Sequence, residues 1–123
     1  MDLISILILL GLLQFKHMFA DFFLQTPIML MNRATYVHPG RALHCAVHVV
    51  GSALCFLVMG VPLALGVIVL ACEGIAHFHI DYLKGVWSER AGHGPADAGY
   101  WRAFGADQTL HQLTYVGMVW AVL

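Results

Sequence analysis

Four long runs of apolar residues alternate with short polar breaks along the chain: Leu3–Gln25, Arg41–Met59, Leu63–Val86 and Arg102–Val122. Each is close to the ~20 residues that carry an α-helix across a bilayer. Thr26-Pro27 ends the first run, because proline removes a backbone donor and biases the residue before it away from helix. Gly60-Val61-Pro62 reads as a tight turn, with Pro62 suited to open the third helix. Between the first and second runs, Thr26–Gly40 carries an apolar patch (Ile28, Met29, Leu30, Met31) followed by polar residues, and is expected to lie along the membrane surface. Ser88–Tyr100, with Gly92, Gly94, Pro95 and Gly99, reads as the longest polar loop. The prediction is an all-α fold: a four-helix transmembrane bundle of up-down topology in a single integral membrane domain, residues 1–123.

Against this apolar background, ionisable residues recur at a spacing of four. His17 stands with Asp21, His44 with His48, Glu73 with His77 and Asp81, and Asp107 with His111. That spacing places both members on one helix face, a turn apart. On a helical wheel Gln14, His17, Asp21 and Gln25 share one arc, as do Arg41, His44, His48 and Ser52. Glu73, His77, Asp81 and Lys84 form a third stripe, and Asp107, His111 and Tyr115 a fourth. Ionisable groups in hydrocarbon are costly and are expected to face a partner, a cavity or a metal. The pairs fall late in the first and third helices and early in the second and fourth. Up-down topology therefore brings all four to one depth.

Composition agrees with a membrane unit: 60% of residues are hydrophobic and 11% charged, and mean hydropathy is +0.78. A net charge of −1 gives no reason to expect nucleic acid as a partner. The lipid bilayer is the expected partner, and a homo-oligomer is compatible with the sequence. The first run opens on Asp2 rather than a basic region and carries Lys16, His17 and Asp21, so it reads as a retained helix, not a signal peptide. The six basic residues (Lys16, Arg33, Arg41, Lys84, Arg90, Arg102) all lie toward the two long loops. The positive-inside rule then puts both loops in the cytoplasm and both termini outside. Cys45, Cys55 and Cys72 form no CxxC pair and read as small apolar residues.

Imidazoles mixed with carboxylates are the ligand set of zinc, iron and manganese sites. His17, Asp21, His44, His48, His77, Asp81 and His111 are the candidate ligands for one or two divalent transition-metal ions, zinc foremost. Facing helices bearing acid and histidine at these spacings also build di-metal carboxylate bundles. Any one pair alone would read more simply as hydrogen-bonded glue between helices. Four pairs at one depth favour a metal. Glu73 and Asp107 are the candidate general bases, and Arg41, Lys84, Gln25 and Gln108 the candidate substrate-binding groups at the mouth. Lys16 points off its helix's polar stripe and is expected to snorkel to the interface. His79 lies opposite His77 on the wheel, and His38 and His93 fall in loops. Trp87, Tyr100, Trp101 and Trp120 read as aromatic-belt residues.

His17-Met-Phe-Ala-Asp21-Phe-Phe-Leu resembles His77-Phe-His-Ile-Asp81-Tyr-Leu, and Leu43-His44 matches Leu110-His111, which suggests a pseudo-repeat of two helical hairpins. The same stretches, with the His44/His48 pair and Asp107-Gln108-Thr-Leu-His111, resemble an uncharacterised family of small bacterial and phage membrane proteins, domain of unknown function 3307. The resemblance implies a helical protein of the bacterial inner membrane and supplies no established activity. The functional expectation is a metal-dependent membrane hydrolase acting on an amphiphilic substrate, a lipid or a phosphate ester. Proton or metal-ion transport is an alternative, although the polar stripes stop halfway along the helices. Haem electron transfer is disfavoured by the acid-rich surroundings. A non-enzymatic membrane protein with a structural metal is the remaining alternative.

Overall fold

The computed structural model describes residues 1–123 as five helices and no strand: α1 (Leu3–Phe22), α2 (Pro27–Leu30), α3 (Pro39–Val58), α4 (Leu63–Ala91) and α5 (Ala98–Ala121). α1 is capped by Asp2, whose side chain accepts the Ser5 N–H at 2.8 Å. It ends at Phe22, short of the expected Gln25, and Pro27 opens the one-turn α2. Gly60, at φ 68°, makes the left-handed turn between α3 and α4. The boundaries differ most around the second long loop. α4 runs on through Ser88–Ala91 and stops at Gly92 (φ 63°), and α5 starts at Ala98. Ser-Glu-Arg-Ala tolerates helix well, and only the left-handed Gly92 ends it, so the polar loop shrinks to 92–97.

The four long helices pack as a square. α1 touches α3 and α5, α4 touches α3 and α5, and the pairs α1/α4 and α3/α5 are diagonals. His17 and His77, like residues of the repeat, thus stand on diagonally opposed helices. One half of the square is filled by an apolar core of Leu9, Leu13, Phe56, Val69, Met118 and Val119. The other half is polar within: His17, His44, His48, Glu73, His77, Asp107 and His111 are all buried. Outward faces carry Leu7, Ile8, Phe15, Leu54, Leu57, Ile68 and Ile75, all exposed. A polar interior wrapped in an apolar surface inverts the pattern of a water-soluble domain.

Three helices, α1, α3 and α4, are long and apolar enough to cross a membrane. Four had been expected. α5 falls short because Arg102, Asp107, Gln108, Thr109, His111 and Gln112 lower its hydropathy.

The segment between α2 and α3 folds down onto the bundle. Met29 is buried, and a Cβ at Gly40 would overlap the Ile28 carbonyl, so only glycine lets α2 approach α3 so closely. Arg41 fixes the rest. Its guanidinium is buried, donates to the carbonyls of Thr35 (2.7 Å), Tyr36 (2.7 Å) and Arg33, and lies over the rings of Phe78 and Tyr82.

Candidate metal centre

Each corner of the square contributes to one cluster. α1 brings Asp21, α3 His44 and His48, α4 His77 and Asp81, and α5 His111. Ligand atoms of Asp21, His44, His48 and His77 all lie within 4.8 Å of one another, as do those of His77, Asp81 and His111. The two groups share His77. Six of the seven expected ligands therefore converge, and every contributing helix presents them from its i,i+4 stripe.

The contacts inside the cluster have the spacing of co-ligands. His44 Nε2 stands 3.2 Å from Asp21 Oδ1 and 3.6 Å from Asp81 Oδ2; His77 Nε2 is 3.3 Å from Asp81 Oδ2, and His111 Nε2 3.5 Å from Asp81 Oδ1. Two ligands ~2.1 Å from a tetrahedral ion lie about 3.4 Å apart, along an edge of the tetrahedron. His48 Nε2 and Asp21 Oδ1 are at hydrogen-bond distance, 2.9 Å, but hydrogen bonds do not account for the contacts to Asp81 of His77 Nε2 and His111 Nε2, which are buried without a hydrogen-bond partner. His111 makes the point most sharply. Its Nδ1 lies 2.8 Å from the Asp107 carbonyl, which can only accept, so the ring proton sits on Nδ1. In the neutral ring Nε2 then turns a lone pair toward a carboxylate oxygen, an arrangement that a cation between them stabilises.

Charge points the same way. Lys16 lies 2.8 Å from Glu73 and Lys84 3.1 Å from Asp107, so each of these acids has its own ammonium. The basic groups within 4 Å of Asp21 and Asp81 are all imidazoles, with no ammonium or guanidinium among them. Two carboxylates in a low-dielectric interior with no ammonium or guanidinium beside them carry charge that one divalent cation would balance. The residues fit a metal ion.

His17, also expected as a ligand, lies beside the cluster but outside both groups. Gln108 sends its amide N–H groups to Asp21 Oδ2 (3.2 Å) and Asp107 Oδ2 (3.3 Å), which turns its carbonyl to His17 Nε2 at 2.9 Å. His17 Nε2–H donates there, and His17 Nδ1 accepts from the Tyr115 hydroxyl at 2.9 Å. Lys16 donates to that hydroxyl in turn (3.1 Å). A directed chain of hydrogen bonds thus runs Lys16, Tyr115, His17, Gln108, Asp21. His17 and Gln108 hold the Asp21 carboxylate in place.

Lys16 corrects an expectation. It does not reach the interface; its side chain is 7% exposed and crosses the bundle to Glu73. The stem passes over Gly51, where any Cβ would collide with Lys16 Cγ. Glu73 Oε1 also accepts from the Ser52 hydroxyl at 2.7 Å, and Oε2 is buried without a partner. Glu73, Ser52, Lys16 and Tyr115 form a polar floor beneath the imidazoles, next to the apolar core.

Above the cluster, a vestibule of ≈ 240 Å³ is lined by Asp21, Gln25, His44, Asp81, Lys84 and Asp107, and opens at the loop end of the bundle. Of the two expected bases, Asp107 lines it and Glu73 does not. Gln25, Lys84 and Gln108 stand in or beside the vestibule, whereas the donors of Arg41 are turned to the loop. His79 accepts from the Tyr36 hydroxyl (3.1 Å), His38 caps α3, and His93 packs against Trp87, all away from the cluster. Cys45 Sγ donates to the Gly74 carbonyl and takes no part.

Residues 6–123 match the family described as "Protein of unknown function (DUF3307)". The chain belongs to this family. The match takes in every residue of the cluster, the floor and the vestibule. No curated protein and no solved structure matches this DUF3307 chain.

Proposed function

We propose that this DUF3307 chain is an integral membrane metalloprotein whose cluster holds a divalent transition-metal ion and hydrolyses a membrane-associated substrate. The observation that carries the reading is the set of bare imidazole nitrogens, His77 Nε2 and His111 Nε2, facing the carboxylate of Asp81. Asp21, His44, His48, His77, Asp81 and His111 are the ligands. Zinc suits this mixture of imidazole and carboxylate, as do iron and manganese. One ion balances Asp21 and Asp81; a second would need a further anion.

All four long helices cross the bilayer in this reading. α5 is less apolar in sum, but Asp107, His111 and Tyr115 face inward while Leu110, Leu113, Val116 and Trp120 face out. The basic residues at the loop end support a vestibule on the cytoplasmic side of a bacterial inner membrane. The apolar core of Leu9, Leu13, Phe56, Val69 and Met118 fills the other half, which favours a site open on one side over a through-path for ions.

A bound divalent ion supplies Lewis acidity and makes water a nucleophile near neutral pH. In hydrolysis the water's hydroxyl goes to the acyl or phosphoryl centre, the bond from that centre to the ester oxygen breaks, and the water's proton passes by way of a base to the departing alcohol oxygen. Asp107 is the base best placed for that proton, because it lines the vestibule and its Oδ1 has no partner. Lys84, beside it, meets the negative charge of the substrate. The test is turnover of lipid phosphate esters and acyl esters by metal-loaded protein in lipid nanodiscs. Activity lost in Asp107→Asn with metal retained supports the reading, and loaded protein that hydrolyses none of them contradicts it.

A further inference from the structure

A groove of ≈ 630 Å³ runs between α4 and α5 on the outer surface of the bundle. Its walls are Leu83, Val86 and Trp87 from α4 and Ala103, Ala106 and Leu110 from α5. The small Ala103 and Ala106 leave the furrow, and the long side chains of α4 bank it. Such a furrow, narrow and apolar, has the form that an acyl chain fills.

Its polar lining is of one predominant sign. Lys84, Arg90 and Arg102 line it, with Asp107 the one acid. Arg90, in the last turn of α4, and Arg102, near the start of α5, are both exposed. Neither has a carboxylate within 4 Å or a side-chain hydrogen bond, whereas Lys84 is paired with Asp107. Two unpaired guanidinium groups at the loop end of an apolar furrow are suited to a phosphate, which arginine binds through paired N–H donors.

The groove also adjoins the vestibule. Lys84 and Asp107 line both, so their ion pair is the wall between the furrow and the space over Asp21, His44 and Asp81. A molecule lying in the furrow with its phosphate at Arg90 and Arg102 has its head group one ion pair away from the cluster.

We propose that the α4–α5 groove is a binding site for an anionic glycerophospholipid of the surrounding bilayer, its acyl chain along Leu83, Trp87 and Ala106 and its phosphate on Arg90 and Arg102. The proposal rests on the reading of the chain as a membrane protein and identifies the class of substrate presented to the cluster. The bilayer supplies the occupant at high local concentration, so a modest preference of the two arginines for anionic head groups is enough to fill the site.

Trp87 reports on the groove directly. With Trp101→Phe and Trp120→Phe in place, it is the one tryptophan left. The protein is reconstituted in phosphatidylcholine vesicles containing a minor fraction of brominated phosphatidylglycerol or, separately, the same fraction of brominated phosphatidylcholine. The expected result is quenching of Trp87 severalfold stronger by the brominated phosphatidylglycerol, an excess abolished by Arg90→Gln/Arg102→Gln. Equal quenching by the two lipids, or an excess that survives the double substitution, overturns the proposal. Metal content is measured on the same samples, so failure at the groove is distinguishable from failure at the metal centre. The lipid preference is expected to persist after chelation, because neither arginine belongs to the cluster.

Discussion

Lys16 Nζ and Glu73 Oε1 meet 2.8 Å apart across the diagonal of the helix square, although the backbones of α1 and α4 do not come close. The pair ties opposite corners of the bundle beneath the His/Asp cluster, where both side chains are almost fully buried. Breaking such a pair from one side leaves an uncompensated buried charge, at a cost of about 3–5 kcal/mol. Lys16→Met is therefore expected to lower the thermal midpoint in detergent strongly. Lys16→Met/Glu73→Gln should recover most of the loss, since the double variant leaves neither charge of this pair behind. A double variant no more stable than the single one would show that the ion pair is not the cause.

Gln108 bridges His17 to Asp21 and Asp107 without being a ligand itself. Groups that orient a metal ligand typically contribute 10–100-fold to affinity. Gln108→Leu is expected to weaken metal binding by about that factor while the fold persists, as read by competition with a chromogenic chelator. Affinity equal to that of the unaltered protein would remove Gln108 and His17 from the support of Asp21.

Arg41 was expected at the mouth as a substrate contact, yet its donors serve the carbonyls of Arg33, Thr35 and Tyr36. A lysine ammonium cannot reproduce the planar fork that serves them. Arg41→Lys should expose residues 31–38 to limited proteolysis and leave metal content unchanged. A loop that stays protected would contradict the clamp.

The helices and the ligand stripes were legible in the sequence because both rest on one period: residues four apart share a face whatever they pack against. The common depth follows from up-down topology, and the meeting of Asp21, His44, His48, His77, Asp81 and His111 from it. The path of Lys16 is hidden from the sequence because a wheel places Cα–Cβ directions, and a lysine stem is long enough to leave its own face; the open space over Gly51 that admits it belongs to another helix. The clamp by Arg41 was hidden because its partners are backbone carbonyls, which carry no residue signature. Spacing groups His17 with the other candidate ligands, but it does not show that Gln108 and Tyr115 engage both of its ring nitrogens. The extension of α4 through Ser88–Ala91 was lost to the glycines that follow, of which Gly92 alone ends the helix.

The central claim is that the bare nitrogens of His77 and His111 and the carboxylates of Asp21 and Asp81 hold a metal ion. Elemental analysis by mass spectrometry of protein purified without added metal, or of apo-protein after metal reloading and desalting, tests it most directly. The account predicts about one divalent transition-metal ion per chain. It predicts loss of most of that ion in His44→Ala, His111→Ala and Asp81→Asn, with retention in His79→Ala, which lies outside the cluster. A folded wild-type protein that takes up no transition metal, with a thermal midpoint unchanged by chelation, would contradict it.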